Sequence, residues 1–185
     1  MNRVGHLRRA ADILRSRGVV AYPTESVFGL GCFPLELSAV SRILAMKSRP
    51  VEAGLILLAG TPEQLTPYIA PTPEARKRML AAWPGPVTWV VTHAQGVPDW
   101  ITGGRSTIAV RVTAEPLAAA LCLAAGSAII STSANRRGRP PARSSLQVRI
   151  RLGSQVDYVL PGKVGGRERP TEIRDAASGD VLRPG

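Results

Sequence analysis

The stretch AYPTESVFGLG, Ala21–Gly31, follows the apolar pair Val19-Val20 and runs a strand into a polar turn. Val19 to Tyr22 have the β-branched and aromatic content of a strand, and Pro23 ends it because proline cannot donate to a sheet ladder. Thr24, Glu25 and Ser26 then bring two hydroxyls and a carboxylate to the strand end, beside glycines that let backbone approach closely. Strand ends of this kind build ligand sites in α/β proteins. An ordinary strand and turn with surface polar residues fits the stretch equally well, so the decision lies in the rest of the chain.

Working outward, Val4, Leu7, Ala11 and Leu14 recur at helical spacing, which predicts a helix closed by Gly18. A second helix is expected over about Ser38–Met46, ending at Lys47-Ser48-Arg49-Pro50, and Leu55–Leu58 reads as a buried strand. Thr72-Pro73-Glu74 opens a third helix with a cap, a proline at the first helical position and an acid in the first turn. It runs to about Trp83, before Pro84-Gly85-Pro86. Val87–Val91 and Ile108–Val112 read as strands, Glu115–Ala125 as an alanine-rich helix closed by Gly126, and Ala128–Ser131 as the next strand. A weaker helix follows near Ser145–Leu152, with short strands near Tyr158–Leu160 and Thr171–Arg174. This mixed order predicts a single α/β domain over residues 1–185, with a twisted mixed β-sheet and flanking helices. The Arg-, Pro- and Gly-rich segment Arg136–Arg143 reads as a mobile loop.

The formal net charge is +11, and only Lys47, Lys77 and Lys163 are lysines among 24 basic residues. Such an excess favours polyanions, either nucleic acid or nucleotide phosphates. No apolar run reaches the roughly 18 residues of a membrane span. The basic N-terminus lacks the apolar core of a signal peptide. Cys32 and Cys122 form no metal or redox spacing and read as free thiols, which predicts a soluble cytoplasmic protein.

Polar clusters recur at element ends: Thr24-Glu25-Ser26, Lys47-Ser48-Arg49, Thr88, Arg111 and Ser131-Thr132-Ser133-Ala134-Asn135. Lys47 and Arg49 also suit the C-terminal dipole of their helix, and Ser131–Asn135 also suits a hydroxyl-rich turn. Arg111, between Val110 and Val112, must face water, a carboxylate or a phosphate. There is no GxxxxGK[ST] phosphate loop, no complete dinucleotide fingerprint and no nucleophile elbow. The inventory of hydroxyls, amides and cations suits phosphate binding and charge stabilisation rather than a histidine base.

Six motifs, YPTESVFGLG, KSRP, WPGPVT, IAVRV, STSAN and PTEIRDA, stand in the order seen in the YrdC/Sua5 family, and the chain most resembles its short bacterial form. The resemblance implies a positively charged concave face on the sheet and no Sua5-type C-terminal domain. It implies synthesis of L-threonylcarbamoyladenylate and pyrophosphate from L-threonine, bicarbonate and ATP, feeding the N6-threonylcarbamoyl modification of adenosine 37 in tRNA. Two departures stand out. Leu57-Leu58-Ala59 replaces a segment where longer relatives carry histidine, and Thr171-Glu172-Ile173 replaces Ser-Thr-Ile/Val.

On that resemblance Lys47 and Arg49 are the catalytic pair and also bind the triphosphate. Thr24, Arg111 and Ser131 meet threonine or its carbamate, while Thr88, Ser133, Asn135, Arg143 and Arg167 meet the nucleotide. Mg2+ accompanies ATP rather than a protein-built cage. The expected partners are the complex that transfers the threonylcarbamoyl group and, weakly, tRNA or double-stranded RNA. The rival reading is an RNA-binding module acting on tRNA or rRNA through the same basic face. Against it, the eight aromatics are scattered and make no base-stacking sheet.

Overall fold

The computed structural model describes residues 2–167 and 169–185. Helix α1, Arg3–Arg15, is capped by the Asn2 side chain, which accepts from Gly5 N at 2.9 Å, and it buries Ala10, Ala11 and Leu14. Its end departs from expectation. Arg17, not Gly18, takes the left-handed conformation with φ 63°. Gly18 serves close packing instead, since a Cβ there would lie 2.5 Å from Ile13 Cγ2.

The decisive stretch is a hairpin. Strand β1, Val20–Pro23, pairs antiparallel with β2, Phe28–Gly31, in the register Tyr22 opposite Gly29 and Pro23 opposite Phe28. The glycines therefore belong to a strand, not to a loop. A Cβ on Gly29 would stand 3.2 Å from Tyr22 Cζ, and one on Gly31 2.9 Å from Tyr22 Cε1. Both positions give room to the Tyr22 ring.

The remaining elements are α2 (Leu37–Lys47), β3 (Ile56–Ala59), α3 (Pro73–Ala82), β4 (Val87–Thr92), α4 (Asp99–Thr102), β5 (Thr107–Val112), α5 (Pro116–Ala125), β6 (Ile129–Ser133), α6 (Ser145–Leu152), β7 (Tyr158–Val159), β8 (Glu172–Asp175) and β9 (Val181–Arg183). Thr72 caps α3 through Ala75 N as its sequence predicts, and Gly126 closes α5 with φ 78°. Besides β2, the strand β9 and the short α4 lie outside the expected elements. The segment 136–143 is tethered rather than loose. Asn135 Nδ2 donates to the carbonyls of Arg136 and Arg139, while Ala142 O accepts from Phe28 N and Ala142 N donates to Ala134 O.

All nine strands among the described residues form one mixed sheet in the order β7-β1-β2-β6-β3-β5-β4-β8-β9. Side chains alternate between its faces. One face packs Val40, Ile43, Met79 and Val148 from α2, α3 and α6 against Leu57, Val110 and Ile130. On the other, α1 and α5 cover Tyr22, Leu58 and Ile129. Beyond Leu58 and Ile129, positions two and four residues away on the same strands leave this helical cover. Ile56, Ser131 and Ser133, with Ala109 and Arg111 from β5, line an open cleft.

Candidate active site

The cleft has a volume of about 920 Å3. Among the described residues, the charged groups in its wall are five arginines, Arg49, Arg105, Arg111, Arg143 and Arg183, and one carboxylate, Glu25. Its floor is built where the β1–β2 hairpin reaches across the sheet. Arg111 Nη2 lies 3.3 Å from Glu25 Oε2, and its Nη1 donates to Thr171 Oγ1 at 2.6 Å. The other Glu25 oxygen accepts from Thr113 Oγ1 at 2.7 Å. Three strands separate β1 from β5 in the sheet order. A flat sheet would place them about 19 Å apart at 4.8 Å per strand, so the hairpin tip folds over the face to meet Arg111.

Thr24 turns the hairpin. Its N–H and its hydroxyl both donate to Val27 O, at 3.0 and 2.7 Å. It lines the cleft with its hydroxyl proton already committed. Ser131 Oγ, also in the wall, accepts from Tyr22 Oη at 2.8 Å. Burial raises the Tyr22 pKa far above the ordinary phenol value, so the phenol keeps its proton.

Arg49 leaves the left-handed Ser48 turn at the end of α2 and donates through Nε and Nη2 to Gly54 O, and through Nη2 to Ala53 O. Arg105 grips the carbonyls of Thr102 and Glu52 beside it. Burial, and then the charge of Arg105, lowers the Arg49 pKa. Lys47 sits behind the cleft wall rather than in it. Its Nζ donates to Ser133 O at 2.5 Å, to Asn135 O at 3.0 Å and to Asn135 Oδ1 at 3.0 Å. Burial, helped by the Arg49 charge, brings its pKa down to about 8.

The structure thus brings Thr24, Arg49, Arg111, Ser131, Ser133 and Arg143 into one wall. Lys47 and Asn135 form the layer behind Ser133 and both meet its hydroxyl. Thr88 is fully buried on β4 with its hydroxyl unpartnered. Arg167 is exposed outside the wall, with its backbone N–H on Glu25 O at 3.0 Å. Tyr22, Arg105 and Arg183 are not marked as site residues by the sequence, and Glu25 is marked only as part of the polar cluster Thr24-Glu25-Ser26. The signal for Glu25 was Arg111 itself, since a cation on an apolar strand demands a partner. Arg183 donates to Thr171 O at 2.8 Å from β9, a strand too short and exposed to announce itself.

The family model described as telomere recombination, covering Sua5, YciO and YrdC, matches residues 12–185. The chain belongs to the Sua5/YciO/YrdC family. It is 54% identical over 178 residues to the threonylcarbamoyl-AMP synthase of Halorhodospira halophila, covering 96% of this chain and 93% of that protein. Identity to the threonylcarbamoyl-AMP synthase of Vibrio cholerae is 47% over 185 residues, covering 98% of each chain. Among solved structures, P. abyssi Sua5 complexed with L-threonine superposes with a TM-score of 0.88 at 35% identity. That match covers 97% of this chain and 54% of the Sua5 chain, so this chain spans about half its length. E. coli YciO superposes with a TM-score of 0.83 at 29% identity, covering 97% and 88%. Membership of the Sua5/YciO/YrdC family fits the sheet and its flanking helices.

Proposed function

We propose that this chain makes L-threonylcarbamoyladenylate and pyrophosphate from L-threonine, bicarbonate and ATP. The observation that carries the proposal is a cleft walled, among the described residues, by five arginines and a single, ion-paired carboxylate, in a chain 54% identical to a threonylcarbamoyl-AMP synthase. All three substrates are anions or carry a carboxylate, and such a wall holds them together against their mutual repulsion.

In this mechanism the threonine amine adds to CO2, formed from bicarbonate by loss of hydroxide, and sheds a proton. A carbamate oxygen then attacks the α-phosphorus, and pyrophosphate leaves. The carbamate is its own nucleophile, so the protein's task is positioning and charge stabilisation. Arg111 and Ser131 orient the carboxylate or carbamate. Arg49 meets the triphosphate, with Arg143 at the rim, and Arg167 serves the nucleotide from outside the wall. Thr24 shapes the threonine end, and Thr88 packs on the strand next to that of Arg111. Lys47 acts through Ser133 and Asn135, which it holds against the nucleotide. Among the described residues no cluster of His, Cys, Asp or Glu is suited to a metal. Mg2+ would come with ATP and offset the charge of its phosphates.

The product serves tRNA adenosine 37 through a threonylcarbamoyl-transferring complex in the cytoplasm, and weak tRNA contact is electrostatic. No helix among the described residues is long and apolar enough to cross a membrane. The test is pyrophosphate release with each substrate omitted in turn. Release is expected only with threonine and bicarbonate both present. Equal release without threonine would convert the reading to an ATP hydrolase.

A further inference from the structure

We infer that Tyr22 is a positioning residue that fixes the polarity of Ser131, making Ser131 a hydrogen-bond donor to an anionic substrate oxygen. The inference rests on the synthase reading above and adds to it a residue that never touches substrate.

The argument is proton bookkeeping. A phenol has one proton, and Tyr22 gives it to Ser131 Oγ at 2.8 Å. Tyr22 is fully buried, and its hydroxyl makes no other hydrogen bond among the described residues. Reversing the bond, with Ser131 donating, would strand the phenol proton in the apolar layer beneath α5. Ser131 therefore accepts on its inner side, and its own proton has no acceptor among the described residues. Ser131 lines the cleft, so that proton faces the substrates. A hydroxyl fixed in this way favours a carboxylate, carbamate or phosphate oxygen and disfavours another donor, such as an ammonium.

The fold seats the ring against the neighbouring strand. Gly29 and Gly31 on the paired strand β2 lie so close that a Cβ on either would press the ring, and the Gly29 Cβ would reach 3.3 Å from the hydroxyl itself. The two glycines and the phenol form one unit, whose outlet is the Ser131 hydroxyl.

The test is a double-mutant cycle on the full chain with Tyr22→Phe and Ser131→Ala, using pyrophosphate release and separate KM values for threonine, bicarbonate and ATP. Tyr22→Phe keeps the ring volume. It is expected to lower kcat/KM by about tenfold in the natural background and by less than about twofold once Ser131→Ala is present. A rise confined to the threonine or bicarbonate KM assigns the anion to the carboxylate or carbamate; a rise confined to ATP assigns it to phosphate. An equal loss in both backgrounds, or no loss in the natural one, overturns the inference. Should Tyr22→Phe lose its cooperative melt, 3-fluorotyrosine at position 22 keeps the ring and strengthens the donor. Full activity is then expected, and a tenfold loss would overturn the inference. If the natural chain itself shows no threonine-dependent release, the synthase reading fails and the cycle is not reached.

Discussion

Lys47 Nζ and Asn135 Oδ1 lie 3.0 Å apart, and the same ammonium reaches the carbonyls of Ser133 and Asn135. One buried cation thus ties the end of α2 to the end of β6. Lys47→Ala should strip Asn135 O of its donor and leave Ser133 O and Asn135 Oδ1 only the Asn135 N–H and the Ser133 hydroxyl, at a cost of about 1–3 kcal/mol. It should also lower kcat/KM by about tenfold or more as Ser133 loses its support. Denaturant titration and pyrophosphate release on one preparation check both. Full stability with lost activity would mean that Lys47 meets substrate directly.

The Lys47 pKa, near 8 against an ordinary 10.5, gives a pH signature. Between those values the unfolded chain binds more protons than the folded one at this site, so its contribution to stability rises with pH across that window. A function that needs the ammonium declines over the same range, above pH about 8. Lys47→Met should flatten the difference in unfolding free energy between pH 7.5 and 10.5. An unchanged slope would mean that another group titrates there.

Arg111 and Glu25 should couple strongly. Removing either partner of a buried pair leaves an uncompensated charge and costs about 3–5 kcal/mol. Glu25→Gln and Arg111→Met are each expected to destabilise, while the double variant should lose much less than their sum. Additive losses in urea unfolding would show that the two side chains act independently.

Thr24→Val should lower the melting temperature, because the hydroxyl that closes the hairpin onto Val27 O is lost, at about 0.5–1.5 kcal/mol. The threonine KM should also rise as the hairpin tip loosens. An unchanged melting temperature with a raised KM would assign the hydroxyl to substrate alone.

Gly31→Ala tests the seat of the Tyr22 ring. A Cβ there would meet Ile130 O and Tyr22 Cε1, both at 2.9 Å, and neither can swing away. Overpacking of this kind costs about 1–3 kcal/mol. Thermal melts that match the natural chain would show that the sheet yields more easily than its contacts imply.

Helices with caps were the most legible part of the sequence. Thr72-Pro73-Glu74 and Gly126 mark their boundaries by local chemistry alone, and the structure places them as expected. The hairpin was not legible, because Gly29 and Gly31 read locally as loop and are explained only by a tyrosine on the neighbouring strand. In the same way, Arg49, Arg111 and Ser131 could be picked out as polar groups at element ends. That Lys47 stands behind Ser133, and that Glu25 answers Arg111, are facts of distance between strands that no spacing along the chain encodes.

The hydrogen bonds that hold the cleft floor join residues far apart in the chain, 88 positions for Thr113 and Glu25 and 60 for Arg111 and Thr171. Such contacts form only after long loops have closed, and closure is the slow part of folding for nonlocal topologies. A chain diluted from denaturant should therefore recover its helical signal before it can bind threonine. The interval between the two recoveries measures how late the floor assembles.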